Sequence, residues 1–321
     1  MNTRPRIAAV CKATTPEPEA DFADALLAGL RSEPKHIPCK YFYDAEGSRL
    51  FEQICALPEY YPTRVELALL RAHAAEMAAL MGPEAEIIEF GAGAAEKIRP
   101  LLRAAHNPRA YLPIDISGPY LQSIAERLRS DFPALSIRPI VADFTRELAI
   151  PASGGTRVGF FPGSTIGNFT PEEARNFLVS ARHLLGEGAS FLVGIDLVKD
   201  ERTLVAAYDD ALGVTAAFNK NLLGRINREL GGDFHLESFV HRAVWNAAES
   251  RIEMHLESLR DQQVTVAGRT FSFRAGETLH TENSCKFTVE GFSALAEKAG
   301  WTLDRAWSSE QPAFAVVLLR T

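Results

Sequence analysis

Glu86-Ile87-Ile88-Glu89-Phe90-Gly91-Ala92-Gly93-Ala94-Ala95-Glu96 decides the reading of this chain. Its apolar run passes straight into glycines, the pattern of a buried strand ending in a turn that lets backbone approach a ligand. A dinucleotide fingerprint asks for glycine where Glu96 stands. A carboxylate there opposes a pyrophosphate on a helix N-terminus. The loop therefore suits a cofactor without phosphates, such as S-adenosylmethionine.

Outward from this loop, short apolar strands alternate with amphipathic helices. Helices are expected over 94–105 and 119–130, and strands over 111–114, 136–141, 157–161 and 190–195. Thr170-Pro171-Glu172-Glu173 opens a further helix with a threonine cap, proline at its first position and glutamate at its third. This alternation predicts an α/β fold with a parallel sheet covered on both faces. Near residue 200 it breaks into helical segments over 202–230 and strands over 239–273. It resumes with a helix over 288–298 and strands over 303–307 and 314–319. Upstream, helices are expected over 21–31 and 46–55. Thr63 and Glu66 then predict a capping box for a helix running to 81, with Tyr60 and Tyr61 at its mouth. The expected organisation is one domain of 61–200 plus 286–321, and a second α+β domain of 1–60 plus 201–285.

Acids recur where such a sheet binds ligands. Asp115 ends the second strand, 24 residues after Gly91, in the place of an acid that holds ribose hydroxyls. Asp143 and Phe144 end the third, where a carboxylate and a ring can take an adenine. A single strand-end aspartate is by default a helix cap, and Lys97 by default a solvated charge. Their register at successive strand ends favours a binding crevice.

Composition narrows the function classes. A net charge of −7 without a basic block gives nucleic acid little to bind. The apolar runs fall short of the ~18 residues a membrane span needs. Residues 7–10 are too short for a secretory core, so the N-terminus reads as a loose tail. Cys11, Cys39, Cys55 and Cys285 are scattered, and the histidines form neither HExxH nor a His-carboxylate cluster. These features predict a cytoplasmic, metal-independent protein.

Longer stretches resemble one family. KYFYDAEGSRLFE, LPEYYPTRVE, EFGAGAAEK, PGSTIGNFTPEEA, DLVKD, YDDALGVTAAFN, RIEMHLES and HTENSCKF, from about residue 30 to the C-terminus, are similar to the ergothioneine-pathway histidine Nα-methyltransferases. That resemblance implies a class I, Rossmann-like methyltransferase domain with a second, substrate-binding domain, and conversion of histidine to its trimethylated betaine, hercynine. It implies S-adenosylmethionine at Gly91, Lys97, Asp115, Asp143 and Phe144. It places Tyr60, Asn168 and Tyr208 around the substrate α-amine and carboxylate, with Tyr43 and Phe51 lining the same cavity. Glu282 and Ser284 are implied to hold the imidazole, with Met254 packed near the ring.

If residues 281–284 are extended, Glu282 and Ser284 share one face. A carboxylate and a hydroxyl match the N–H and the lone pair of an imidazole. A phenol or indole leaves one of them unpaired, at about 1–3 kcal/mol. The expected chemistry is direct displacement by the neutral amine, with Tyr60 as candidate proton acceptor, directly or through water. The expected partner is a small molecule met by a monomer, without nucleic acid or membrane. Bland roles stay open for isolated residues: Met254 as core filler, Tyr208 as helix packing, Glu282 as an edge residue. Competing functions are methylation of tyrosine or tryptophan, a nicotinamide oxidoreductase, and a non-catalytic metabolite-binding module.

Overall fold

The computed structural model describes residues 18–151 and 154–321. The expected N-terminal tail and Cys11 lie outside the described residues. Helices α1 (Pro18–Arg31), α2 (Ala45–Ala56) and α3 (Tyr61–Met81) lead into β1 (Glu86–Phe90), α4 (Ile98–Ala104), β2 (Ala110–Asp115) and α5 (Gly118–Asp131). Then come β3 (Ser136–Ile137), β4 (Ile140–Val141), β5 (Arg157–Phe161), α6 (Pro171–Leu185) and β6 (Ser190–Asp196). A second group follows: α7 (Glu201–Ala206), α8 (Val214–Leu230), β7 (Phe239–Asn246), β8 (Arg251–Ser258), β9 (Gln262–Val266), β10 (Arg269–Phe273) and β11 (Thr278–Cys285). The chain ends with α9 (Val289–Glu297), β12 (Thr302–Glu310) and β13 (Ala313–Arg320).

The large sheet runs β12-β13-β6-β5-β1-β2-β3, with β4 beside the end of β2. Strand β1 pairs in parallel with both β2 and β5. The strand order thus reverses beside β1, and the crevice over the carboxyl ends of β1, β2 and β5 is where open α/β sheets bind ligands. At the far edge β13 runs antiparallel between β6 and β12, because a tight hairpin returns the chain inward. Every residue of β1 and β6 is buried, as expected of strands covered on both faces. Ile88 belongs to the core that holds Phe161, Phe177 and Trp301, while its neighbour Ile87 belongs to the one on the other side, with Leu70, Met77 and Tyr111.

A separate core joins Phe22, Leu26 and Phe42 to Leu222, Phe239 and Leu279. The N-terminal helices and the inserted segment pack together there, against the antiparallel sheet β11-β8-β7.

Local expectations fail where side chains find tertiary partners. Thr63 and Glu66 form no capping box: α3 begins at Tyr61, and Tyr60 occupies the N-cap without a side-chain cap. Glu66 is wholly buried and serves the ligand crevice instead. The helix expected from 94 starts at Ile98, since Gly91, Gly93 and Ala95 all take positive φ. The strand expected over 136–141 is cut at Pro139, which has no N–H to continue the ladder. The helical region 202–230 divides at Gly213, φ +72°, and Asp210 caps the second part by accepting from Val214 N and Thr215 N. Thr170 and Glu173 do form the expected capping box.

Candidate functional site

The first half of the site is the crevice itself. Gly91 sits at φ +72°, and a Cβ there would stand 3.4 Å from the Phe144 ring. Phe144 is fixed edge-on against Phe90, Phe161 and Phe177. Asp115 closes β2; its Oδ1 accepts from Ser117 N at 2.9 Å, and burial holds its carboxyl above the usual range. Asp143 accepts from Thr145 N at 2.9 Å and from Lys40 Nζ at 2.9 Å, which ties the N-terminal segment to the crevice.

Lys97 is not a solvated charge. Its Nζ lies 2.7 Å from Glu66, whose two oxygens also accept from Gly163 N at 3.0 and 2.9 Å. This pair, with Glu66 wholly buried and Lys97 partly so, links the glycine loop after β1 to the loop after β5. The argument from Glu96 needs correction: Glu96 precedes α4, is largely exposed and faces Arg99 at 3.3 Å. It stands one residue ahead of the N-cap Lys97, and its exposure and its pairing with Arg99 screen its charge, which weakens it as an argument about phosphate. Glycine backbone, a strand-end carboxylate for a diol, and Asp143 beside an aromatic ring nevertheless fit the nucleoside and amino-acid ends of adenosylmethionine.

The second half is an adjoining cavity of about 500 Å³, its open mouth included. Tyr43, Phe51, Tyr60, Asn168, Tyr208, Met254, Glu282 and Ser284 all line it. Residues hundreds of positions apart meet here because α2, the turn after β5, α7 and the β8–β11 pair converge. The rings of Tyr43 and Phe51, Phe51 and Tyr60, and Tyr60 and Tyr208 contact edge to face at 5.6, 6.2 and 6.1 Å. Burial raises the Tyr60 and Tyr43 hydroxyls well above the ordinary phenol value, so both stay neutral. On β8, Met254 stands opposite Glu282 of β11. A β-bulge between His280 and Glu282 sets the register that sends both Glu282 and Ser284 into the cavity. Burial pushes the Glu282 carboxyl up to about 7, against the opposing pull of Lys286.

Other residues went unnoticed in the sequence. Gly163, Ser164, Thr165, Thr215 and Phe218 also line the cavity. His241 donates from Nε2 to Tyr208 O at 2.8 Å while its Nδ1 accepts from Asn219 at 2.8 Å, which seats the Tyr208 backbone. Lys286 and Asp196 lie behind the cavity wall, where only the folded chain reveals them. A charge whose partner lies far along the chain is invisible to spacing arguments.

The expectation of no His-carboxylate cluster is also corrected. Glu253, His255 and His280 gather on the opposite face of the small sheet, ligand atoms within 4.8 Å of one another. Arg251 and Asn246 already hold the Glu253 carboxylate, at 2.7 and 2.9 Å, which leaves it little charge to offer a cation. Cys39, Cys55 and Cys285 are free thiols. Among the described residues no helix is long and apolar enough to cross a membrane.

Known proteins resemble this chain along most of its length. A histidine N-alpha-methyltransferase of Mycolicibacterium smegmatis is 44% identical over 91% of this chain and 92% of its own. An ergothioneine biosynthesis protein 1 of Neurospora crassa is 28% identical over 86% of this chain and 32% of that protein. The CcbJ methyltransferase of Streptomyces caelestis superposes with a TM-score of 0.50 at 15% identity, covering 79% of this chain and 95% of that one, and so shares its fold. Residues 22–321 match the family described as histidine-specific methyltransferase, SAM-dependent, and the chain belongs to that family.

Proposed function

We propose that this enzyme trimethylates the α-amino group of L-histidine to hercynine, a step of ergothioneine biosynthesis, with S-adenosylmethionine as methyl donor. The observation that carries the reading is the cavity beside the cofactor crevice, where Glu282 and Ser284 stand on one strand face against an aromatic wall. We assign cofactor binding to Gly91, Lys97, Asp115, Asp143 and Phe144, and substrate binding to the eight cavity residues expected from the sequence. We also take 1–60 plus 201–285 as the substrate domain, and read the chain as a cytoplasmic monomer.

When bound, the cofactor supplies an electrophilic methyl on sulfur; the chain's contribution is alignment and exclusion of water. Asn168 offers its amide to the substrate carboxylate. Tyr60, a neutral phenol, orients the amine and relays its proton to water without becoming a phenolate. Lys97 meets Glu66, so it also holds together the two loops that flank the cofactor. The rings of Tyr43, Phe51, Tyr60 and Tyr208 suit the growing cation of the methylated amine.

The test is mass spectrometry of the protein incubated with adenosylmethionine and an equimolar amino-acid mixture. Successive additions of one, two and three methyls to histidine alone are expected. Methylation of tyrosine or tryptophan instead overturns the pocket assignment. Cofactor binding without any methylated product overturns the catalytic reading.

A further inference from the structure

Lys286 follows β11 and its side chain is wholly buried. Its Nζ lies 2.8 Å from Asp196 Oδ2, 2.7 Å from Ser284 Oγ and 3.0 Å from Tyr208 OH. An ammonium has three N–H donors and no acceptor, so these three oxygens use all of them. Lys286 has nothing left to give a ligand, and it does not line the cavity.

Its effect falls on the hydroxyl pair. Tyr208 OH and Ser284 Oγ are 2.6 Å apart and share one hydrogen, while both accept from Lys286. Only one hydroxyl hydrogen remains for the cavity. When Tyr208 donates to Ser284, both acceptor sites of the serine oxygen are filled, by Tyr208 and Lys286. The serine hydrogen must then point at the ligand. In that arrangement Ser284 is the donor to the ligand, two residues along the strand from Glu282, which as a carboxylate is an obligate acceptor.

Charge closes the same circuit. Asp196 is buried between Lys286 and Lys199, at 2.8 and 2.6 Å, and accepts from Tyr61 OH at 2.7 Å. One carboxylate between two ammonium groups leaves a positive excess, which an ionised Glu282 offsets. The cavity thus presents one donor and one acceptor, the complement of a neutral imidazole with one lone pair and one N–H. An imidazolium, with two N–H groups, meets a donor at Ser284 and is refused.

We propose that Lys286 is a positioning residue that orients the Tyr208–Ser284 hydroxyl pair so that Ser284 donates, and thereby selects the neutral imidazole of the substrate without touching it. This rests on reading the cavity as a histidine site.

The test compares wild type, Lys286→Met, Ser284→Ala and the double variant, measuring kcat and KM for L-histidine and for L-phenylalanine, and adenosylmethionine affinity by calorimetry. Lys286→Met is expected to lower kcat/KM for histidine at least about tenfold, mainly through KM, and to erode its preference over phenylalanine. In the Ser284→Ala background the same change is expected to have little further effect on that preference. Equal losses for both amino acids, or undiminished loss in the Ser284→Ala background, overturn the proposal in favour of a structural role. A measurement on unaltered protein covers the case in which Lys286→Met does not fold. Ring-15N-labelled histidine bound to wild type is expected to show one protonated and one hydrogen-bonded, unprotonated nitrogen. Two protonated nitrogens overturn the proposal. A wild type that methylates another amino acid and not histidine overturns the histidine reading itself, and this inference with it.

Discussion

Lys97 Nζ stands 2.7 Å from the Glu66 carboxylate, and Glu66 is completely buried while also accepting from the backbone of Gly163. One ion pair therefore binds helix α3, the glycine loop and the loop after β5 into a single wall of the crevice. Removing one partner leaves a buried charge alone, which costs about 3–5 kcal/mol. Lys97→Met is expected to lose stability of that order in urea unfolding and to bind adenosylmethionine more weakly. Unchanged stability would mean that the pair adds nothing beyond the bonds from Gly163 N.

Gly194 supports the same carboxylate by having no side chain. A Cβ on this residue of buried β6 would lie 2.1 Å from Glu66 Oε1 and 3.3 Å from the Gly163 backbone N. Gly194→Ala is expected to cost roughly 1–3 kcal/mol through overpacking, read as a lower urea midpoint with unchanged slope.

Asp115 is the carboxylate at the end of β2, partly held by Ser117 N. Asp115→Ala is expected to raise the dissociation constant for adenosylmethionine about ten- to a hundredfold, the worth of hydrogen bonds to a charged group. Saturating cofactor should restore most of kcat. A drop in kcat that saturation does not repair would place Asp115 in the methyl-transfer geometry itself.

Glu282, raised by burial to about 7 from an ordinary 4.5, links binding and stability to pH. Its carboxylate form is needed to accept an imidazole N–H, so kcat/KM for histidine is expected to rise as pH climbs through about 7. Glu282→Gln should lose that limb, leaving the titration of the substrate's own imidazole and amine. The sign is opposite for stability of the ligand-free protein. Because the folded value exceeds the unfolded one, the protonated form favours folding, and this contribution fades as pH rises from 4.5 through about 7. Glu282→Gln should therefore stabilise the protein at pH 8 and matter little at pH 4. Thermal unfolding at both pH values checks it.

Tyr60 is a neutral phenol at the mouth of α3, packed against Phe51 and Tyr208. Tyr60→Phe keeps the ring and removes the hydroxyl. It is expected to slow turnover about ten- to a hundredfold with mono- and dimethylated products accumulating, since each round needs a deprotonated, oriented amine. Product ratios by mass spectrometry report this directly.

Much of the molecule was legible in one dimension because its signals are local. The strand into Gly91, the threonine cap of α6 and the acids at strand ends depend on neighbours a few residues away. The sequence also placed Glu282 and Ser284 on one side of an extended segment. Cofactor class, sheet architecture and the cavity residues named by resemblance could thus be stated before any coordinates.

Tertiary structure alone decided where charges went. Glu66 has the spacing of a capping box, yet it is drawn inward because burying it against Lys97 and Gly163 N satisfies more than one loop at once. Glu96 looks placed to repel phosphate, but the turn ahead of α4 sends it outward to Arg99. Lys286 has no local signature, and its meaning arises from Asp196, Tyr208 and Ser284, brought together by three separate elements. Periodicity and capping are short-range and written along the chain. The partner of a buried charge is chosen by whichever opposite group the finished fold brings within about 3 Å, because a low-dielectric interior tolerates no charge left unpaired.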